Sequence, residues 1–180
     1  MEILPPSFFC LALVTAAIAA VSDSLTGRIP NWLTLPAILL ALIGHGISLG
    51  FGAALWSVGA ALLCALVPYL MFRLGSMGGG DVKLFAALGA LTSTDLRLGL
   101  EIELGAFLFA SVLSLLVLAW RGELPRTLKR SLYIIANPFL PKARRSELSA
   151  ELMVPVRMGV PIFLATLAFA LPQLLDGRVS

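Results

Sequence analysis

Charge is what this sequence has least of. Only 13% of its 180 residues are Asp, Glu, Lys or Arg, against 59% apolar, and the mean hydropathy is +0.97. A soluble domain carries about 25% charged residues, so a surface wetted on all sides is excluded. Cysteine is scarce too. Cys10 and Cys64 fall within apolar runs with no CxxC pair, which argues against a disulfide framework or a cysteine zinc site and leaves both as small packing residues. His45 is the only histidine; with no second ligand beside it, no metal site is expected, and it reads as a polar residue near the outer membrane interface. Internal repeats, low-complexity tracts and a separate soluble domain are also missing, so residues 1–180 read as one membrane-embedded domain.

What is present is hydrocarbon in long runs. Ile3 to Ser22, Ile29 to Phe72 (His45 aside), Leu84 to Thr94, Leu104 to Trp120 and Met158 to Leu175 carry no charge. A membrane span needs about 20 apolar residues, so the second run holds two helices, broken near Gly44 to Gly52. The pattern predicts an all-α, polytopic membrane protein with about six transmembrane helices. Their predicted limits are Leu4–Val21, from Trp32, Ala53–Phe72, a short fourth helix, Glu101–Trp120 and Pro155–Leu175. The fourth run, Leu84 to Thr94, would cover only about 16 Å at 1.5 Å per residue. Ala17-Ile18-Ala19 resembles a signal-peptidase site, yet Glu2 and the absence of Lys or Arg before the run favour a retained first helix.

The cations set an orientation. With the N-terminus outside, the inner loops hold Arg28, Arg73, Lys83, Arg121, Arg126, Lys129, Arg130, Lys142, Arg144, Arg145 and Arg157, leaving only Arg97 and Arg178 outside. The basic pI near 9.2 then reports contact with membrane lipid at the inner leaflet, with no call for a nucleic-acid partner. Between helices 5 and 6, Leu124, Leu128, Leu132 and Ile135 share one helical face while Arg126, Lys129 and Arg130 lie off it. This predicts a short amphipathic helix on the cytoplasmic surface.

Two aspartates stand at the open end of a helical hairpin: Asp23 before helix 2 and Asp81 after helix 3. Two crossings separate them, so both emerge on the same membrane face and can meet there. A carboxylate in hydrocarbon costs about 2.5–3.5 kcal/mol on insertion scales, so each needs a reason. Taken alone, Asp81 reads as a helix cap and Asp23 as an Asx turn. As a pair they offer aspartic-protease chemistry: one shared proton gives a base to activate water and an acid for the departing amine. Gly78, Gly79 and Gly80, lacking Cβ, would adopt positive φ and admit a substrate backbone beside Asp81. No metal and no organic cofactor is expected. Lys83 and Arg157 read as inner-face anchors, and Glu101 and Glu103 as an acidic first turn of helix 5. Trp32, Trp56 and Trp120 read as interfacial anchors.

The residues "DSLTGRIPNWLT" and "GSMGGGDVKLFAALGAL", with a looser match in "GVPIFLA", resemble the motifs of type IV prepilin peptidases, the GxGD membrane aspartic proteases. The resemblance is closest to the short single-domain form of Flp/Tad pilus systems. It implies Asp23 and Asp81 as the catalytic pair, Gly78 to Gly80 beside them, and removal of the leader peptide of a prepilin or pseudopilin at the cytoplasmic face of the bacterial inner membrane. Longer members carry paired CxxC motifs and also methylate the new N-terminus; nothing equivalent stands here. Ser22 rather than tyrosine precedes Asp23, which separates the chain from the presenilin-like branch. The competing reading is a non-catalytic membrane protein, a small transporter or pilus-assembly subunit whose aspartates bind protons or organise the fold.

Overall fold

In the computed structural model, residues 6–120, 122 and 157–175 are described. They are helical, with no strand among them: α1 Pro6–Thr26, α2 Asn31–Leu49, α3 Phe51–Arg73, α4 Gly79–Leu91, a 3-10 turn at Ser93–Asp95, α5 Leu96–Trp120 and α6 Gly159–Leu175. Four stretches are long and apolar enough to cross a bilayer, namely Ser7–Thr26, Asn31–Leu49, Phe51–Arg73 and Ser93–Trp120; α6 is apolar but shorter. The basic amphipathic segment expected around 124–135 lies outside the described residues.

The chain divides into two units, Met1–Ala110 with Pro155–Ser180, and Ser111–Val154. The described part of the second is the end of α5 and Gly122, with Leu115, Leu116 and Trp120 exposed. All that follows concerns the first unit.

Glycines set the helix ends that matter. Gly27, at φ +68°, ends α1 with its N–H on the Asp23 carbonyl at 2.8 Å, a left-handed cap that glycine adopts without strain. Gly75, at φ +78°, ends α3: its N–H bonds the Phe72 carbonyl at 2.9 Å and the Ser76 N–H reaches the Met71 carbonyl at 3.0 Å, the paired bonds of a Schellman motif. Gly50, at φ +93°, is the single residue between α2 and α3.

Packing runs opposite to that of a soluble bundle. Ala12, Ala16, Ala19, Ala37, Ala41, Ala60 and Ala61 are buried, while Leu39, Leu40, Ile43, Leu62 and Leu66 face outward. Lipid rewards apolar surface as well as protein does, so small residues at the contacts let helices approach. α4 packs against α3, α2 and α1, and α6 packs against α1. Thirteen residues long, α4 measures about 20 Å against a hydrocarbon core of about 30 Å. It runs from the Asp81 end until the Ala90 carbonyl accepts the Ser57 hydroxyl at 3.0 Å, with Ser93 Oγ just beyond, 3.3 Å from His45 Nδ1.

Several expectations are corrected. Asp23 does not precede helix 2 in a loop: it lies inside α1, which continues to Thr26 because Thr26 Oγ1 bonds the Ser22 carbonyl at 2.8 Å and Gly27 closes the turn. α5 starts at Leu96 rather than Glu101, since Asp95 Oδ1 accepts the Leu98 N–H at 3.3 Å as an N-cap. Glu103 therefore sits in the third turn and is buried, while Glu101 pairs with Arg97 at 2.9 Å. His45 is fully buried within the protein, stacked on Phe8 with ring centroids 4.2 Å apart.

Candidate active site

Asp23 projects from the last turns of α1 and Asp81 from the first turn of α4. Both are buried, at 5% and 6% exposure, and both line one cavity of about 290 Å³. Its remaining walls are Gly27, Arg28 and Ile29 from the α1–α2 turn and Gly78, Gly79 and Gly80 ahead of Asp81. All five residues singled out from the sequence thus meet in one place, although 58 positions separate the two aspartates (81 − 23).

The glycines work differently from expectation. Gly78 has φ −78°, Gly79 and Gly80 belong to α4, and none is among the glycines of positive φ. Their missing Cβ matters instead for packing. A Cβ on Gly80 would stand 3.0 Å from Ile29 Cβ and 3.3 Å from the Ile29 backbone N and O; on Gly78 it would stand 3.0 Å from Asp81 Oδ2. With no side chain at residue 80, α4 packs closely against the α1–α2 turn. Its opening N–H groups, at a helix N-terminus, lack intrahelical acceptors and favour negative charge in the cavity.

The Gly78 N–H donates to Asp81 Oδ2 at 3.2 Å, so the capping role and the cavity role belong to the same residue. Asp81 lies outside the four candidate spans. Burial pushes its carboxyl up to about 7, the charge of Asp23 adds to the rise, and the Gly78 hydrogen bond opposes it. The coupling means that the two carboxyls sense each other, and near neutral pH Asp81 keeps a proton a large part of the time.

Sequence reasoning missed what holds Asp23. The Gly159 N–H, at the head of α6, donates to Asp23 Oδ2 at 3.0 Å in a buried contact. Two residues earlier, Arg157 Nη1 donates to the Ser24 carbonyl at 3.2 Å. The match in "GVPIFLA" pointed to this helix, but a backbone donor leaves no mark in a sequence. Lys83, expected as an anchor, donates from Nζ to Asn31 Oδ1 at 2.8 Å and ties α4 to the start of α2. Among the described residues no three His, Cys, Asp or Glu side chains gather as metal ligands would.

A multi-pass helical protein whose buried, electrically coupled carboxyls share a cavity has the parts of a membrane-embedded acid–base hydrolase. The profile of the type IV leader peptidase family matches residues 10–119. The match takes in most of α1, all of α2 to α4 and nearly all of α5, so the chain belongs to that family, whose members are peptidases that cleave prepilin leader peptides. No curated protein and no solved structure matches it.

Proposed function

We propose that Asp23 and Asp81 are the catalytic pair of this prepilin leader peptidase, that its substrate is a Flp-type prepilin, and that the cavity opens to the cytoplasmic face of the bacterial inner membrane. The observation that carries the reading is the shared cavity, in which two buried aspartates from distant turns stand together with the Gly78 to Gly80 run. The charge distribution supports the orientation, because Arg28, Arg73 and Lys83 flank the aspartate end of the helices while Arg97 lies at the other. The lack of any CxxC pair supports the short, Flp-type form.

The two carboxyls take different roles. Asp81, with its raised proton affinity, is the acid and hydrogen-bonds the scissile carbonyl oxygen. Asp23, whose oxygen accepts an N–H at a helix start, is the base that takes a proton from water as it attacks the carbonyl carbon. The tetrahedral intermediate then collapses: the C–N bond breaks, the nitrogen takes the proton that Asp23 drew from water, and a carboxylic acid and a free amine remain. Gly78 to Gly80 bind the extended backbone around the scissile bond. The prepilin's apolar helix lies in the lipid beside the enzyme, which fixes how far the bond stands from the membrane and supplies much of the specificity.

Co-expression with a Flp-type prepilin tests this reading. Mass spectrometry of the product is expected to show a single cut just ahead of the apolar helix, absent with Asp23→Asn or Asp81→Asn. A cysteine at Ser76, in a chain freed of Cys10 and Cys64, is expected to react with a membrane-impermeant maleimide in inverted vesicles only. Processing by both Asn variants rejects the catalytic pair, and labelling only in right-side-out vesicles rejects the orientation.

A further inference from the structure

We infer that Gly159 is a positioning residue of the active site and that Arg157 braces the same corner, so that the head of α6 forms a third wall holding Asp23 in place. The inference rests on the assignment of Asp23 above and extends it to a helix beyond the matched residues 10–119.

Asp23 and the start of α6 make a reciprocal cap. Gly159 is the first residue of α6, so its N–H has no acceptor within its own helix. Asp23 Oδ2 supplies that acceptor at 3.0 Å. In return, Arg157 Nη1 bonds the carbonyl of Ser24 at 3.2 Å, one of the last four of α1, where a cation meets the negative end of the helix. Arg157 Nη2 also lies 3.3 Å from where a Cβ on Gly27 would stand, against the turn that ends α1.

The fit leaves no room for a side chain at position 159. A Cβ there would stand 2.7 Å from Asp23 Cβ, 2.9 Å from Asp23 Oδ2 and 3.1 Å from Ala20 Cα. Asp23 Cβ and Ala20 Cα are both fixed to the α1 backbone, so α1 and the head of α6 have to part. Any residue other than glycine therefore loosens the hold of the Gly159 N–H on the catalytic base. The charged groups around Asp23 are Asp81 from α4, Arg28 from the α1–α2 turn and Arg157 ahead of α6, and the last is the one this arrangement ties to the Asp23 end of α1.

The test compares full-length wild type, Gly159→Ala, Arg157→Gln and Arg157→Lys on a prepilin substrate, with kcat, KM and the thermal unfolding midpoint of each variant recorded. Gly159→Ala is expected to lower kcat about 100-fold with KM nearly unchanged, as misplacement of a catalytic group does. Arg157→Gln is expected to lower kcat about 10-fold and Arg157→Lys to recover most of that loss. If Gly159→Ala does not fold, the Arg157 pair carries the test, since that side chain is exposed. Unchanged kcat in the folded variants, or a rise in KM alone, overturns the inference. Asp23→Asn separates the two levels: an active Asp23→Asn removes the catalytic assignment itself, whereas an inactive one beside fully active Gly159 and Arg157 variants removes only the third wall.

Discussion

Gly80 and Ile29 touch across the cavity wall, with 3.0 Å between Ile29 Cβ and the place a Gly80 Cβ would occupy. The contact joins the head of α4 to the turn that follows Asp23, so it sets the spacing of the two aspartates. Gly80→Ala is expected to push these elements apart and lower kcat about 100-fold. At Gly79 the nearest obstacle is the Phe72 ring at 3.4 Å, which can turn aside; Gly79→Ala is expected to stay within about threefold of wild type. Rates of prepilin cleavage by the two purified variants check the contrast, and equal losses contradict it.

The proton on Asp81 gives a pH dependence with a definite sign. Its carboxyl rises from 3.8 to about 7 in the folded protein. Below 3.8 folded and unfolded chains are both protonated there. Between 3.8 and about 7 the folded state holds a proton that the unfolded chain releases, so this contribution to stability is lost as pH rises through the window. Asp81→Asn removes the titration. Thermal unfolding in detergent is expected to show wild type losing roughly 2–4 kcal/mol relative to the variant between about pH 4 and 8. Parallel curves contradict the buried, coupled carboxyl. As the acid, Asp81 also predicts cleavage that declines above about pH 7.

Gly89 is a structural counterpart away from the cavity. A Cβ there would stand 2.7 Å from the Ala60 carbonyl oxygen and 2.7 Å from Cys64 Cβ, so α3 and α4 meet backbone to backbone. Gly89→Ala is expected to cost about 1–3 kcal/mol and lower the unfolding midpoint by several degrees. Cys64→Ala does not rescue it, because the carbonyl and Cβ both stay. An unchanged midpoint contradicts this packing.

The spans were legible because lipid demands long apolar runs, and the site was legible because charge is so rare in them that Asp23 and Asp81 stand out. What the sequence concealed follows from local hydrogen bonding. The polar stretch after Val21 reads as a loop, yet Ser22 and Thr26 place their hydroxyls on nearby carbonyls and the helix continues. The start of α5 depended on one Asp95 cap. The glycine run pointed to the cavity wall, but its φ values are ordinary and its bare backbones pack closely there, which no composition reveals. Gly159 stayed hidden because its contribution is a backbone N–H brought from 136 residues away.

The most direct test is a double-mutant cycle on the two carboxyls, with prepilin cleavage by Asp23→Asn, Asp81→Asn and the double variant measured under single-turnover conditions. Residues that share one reaction act as a unit, so each single change is expected to remove about 1,000-fold or more of the rate and the double change no more than either alone. A single variant retaining a tenth of wild-type activity, or losses that simply multiply, contradicts an acid–base pair in this cavity.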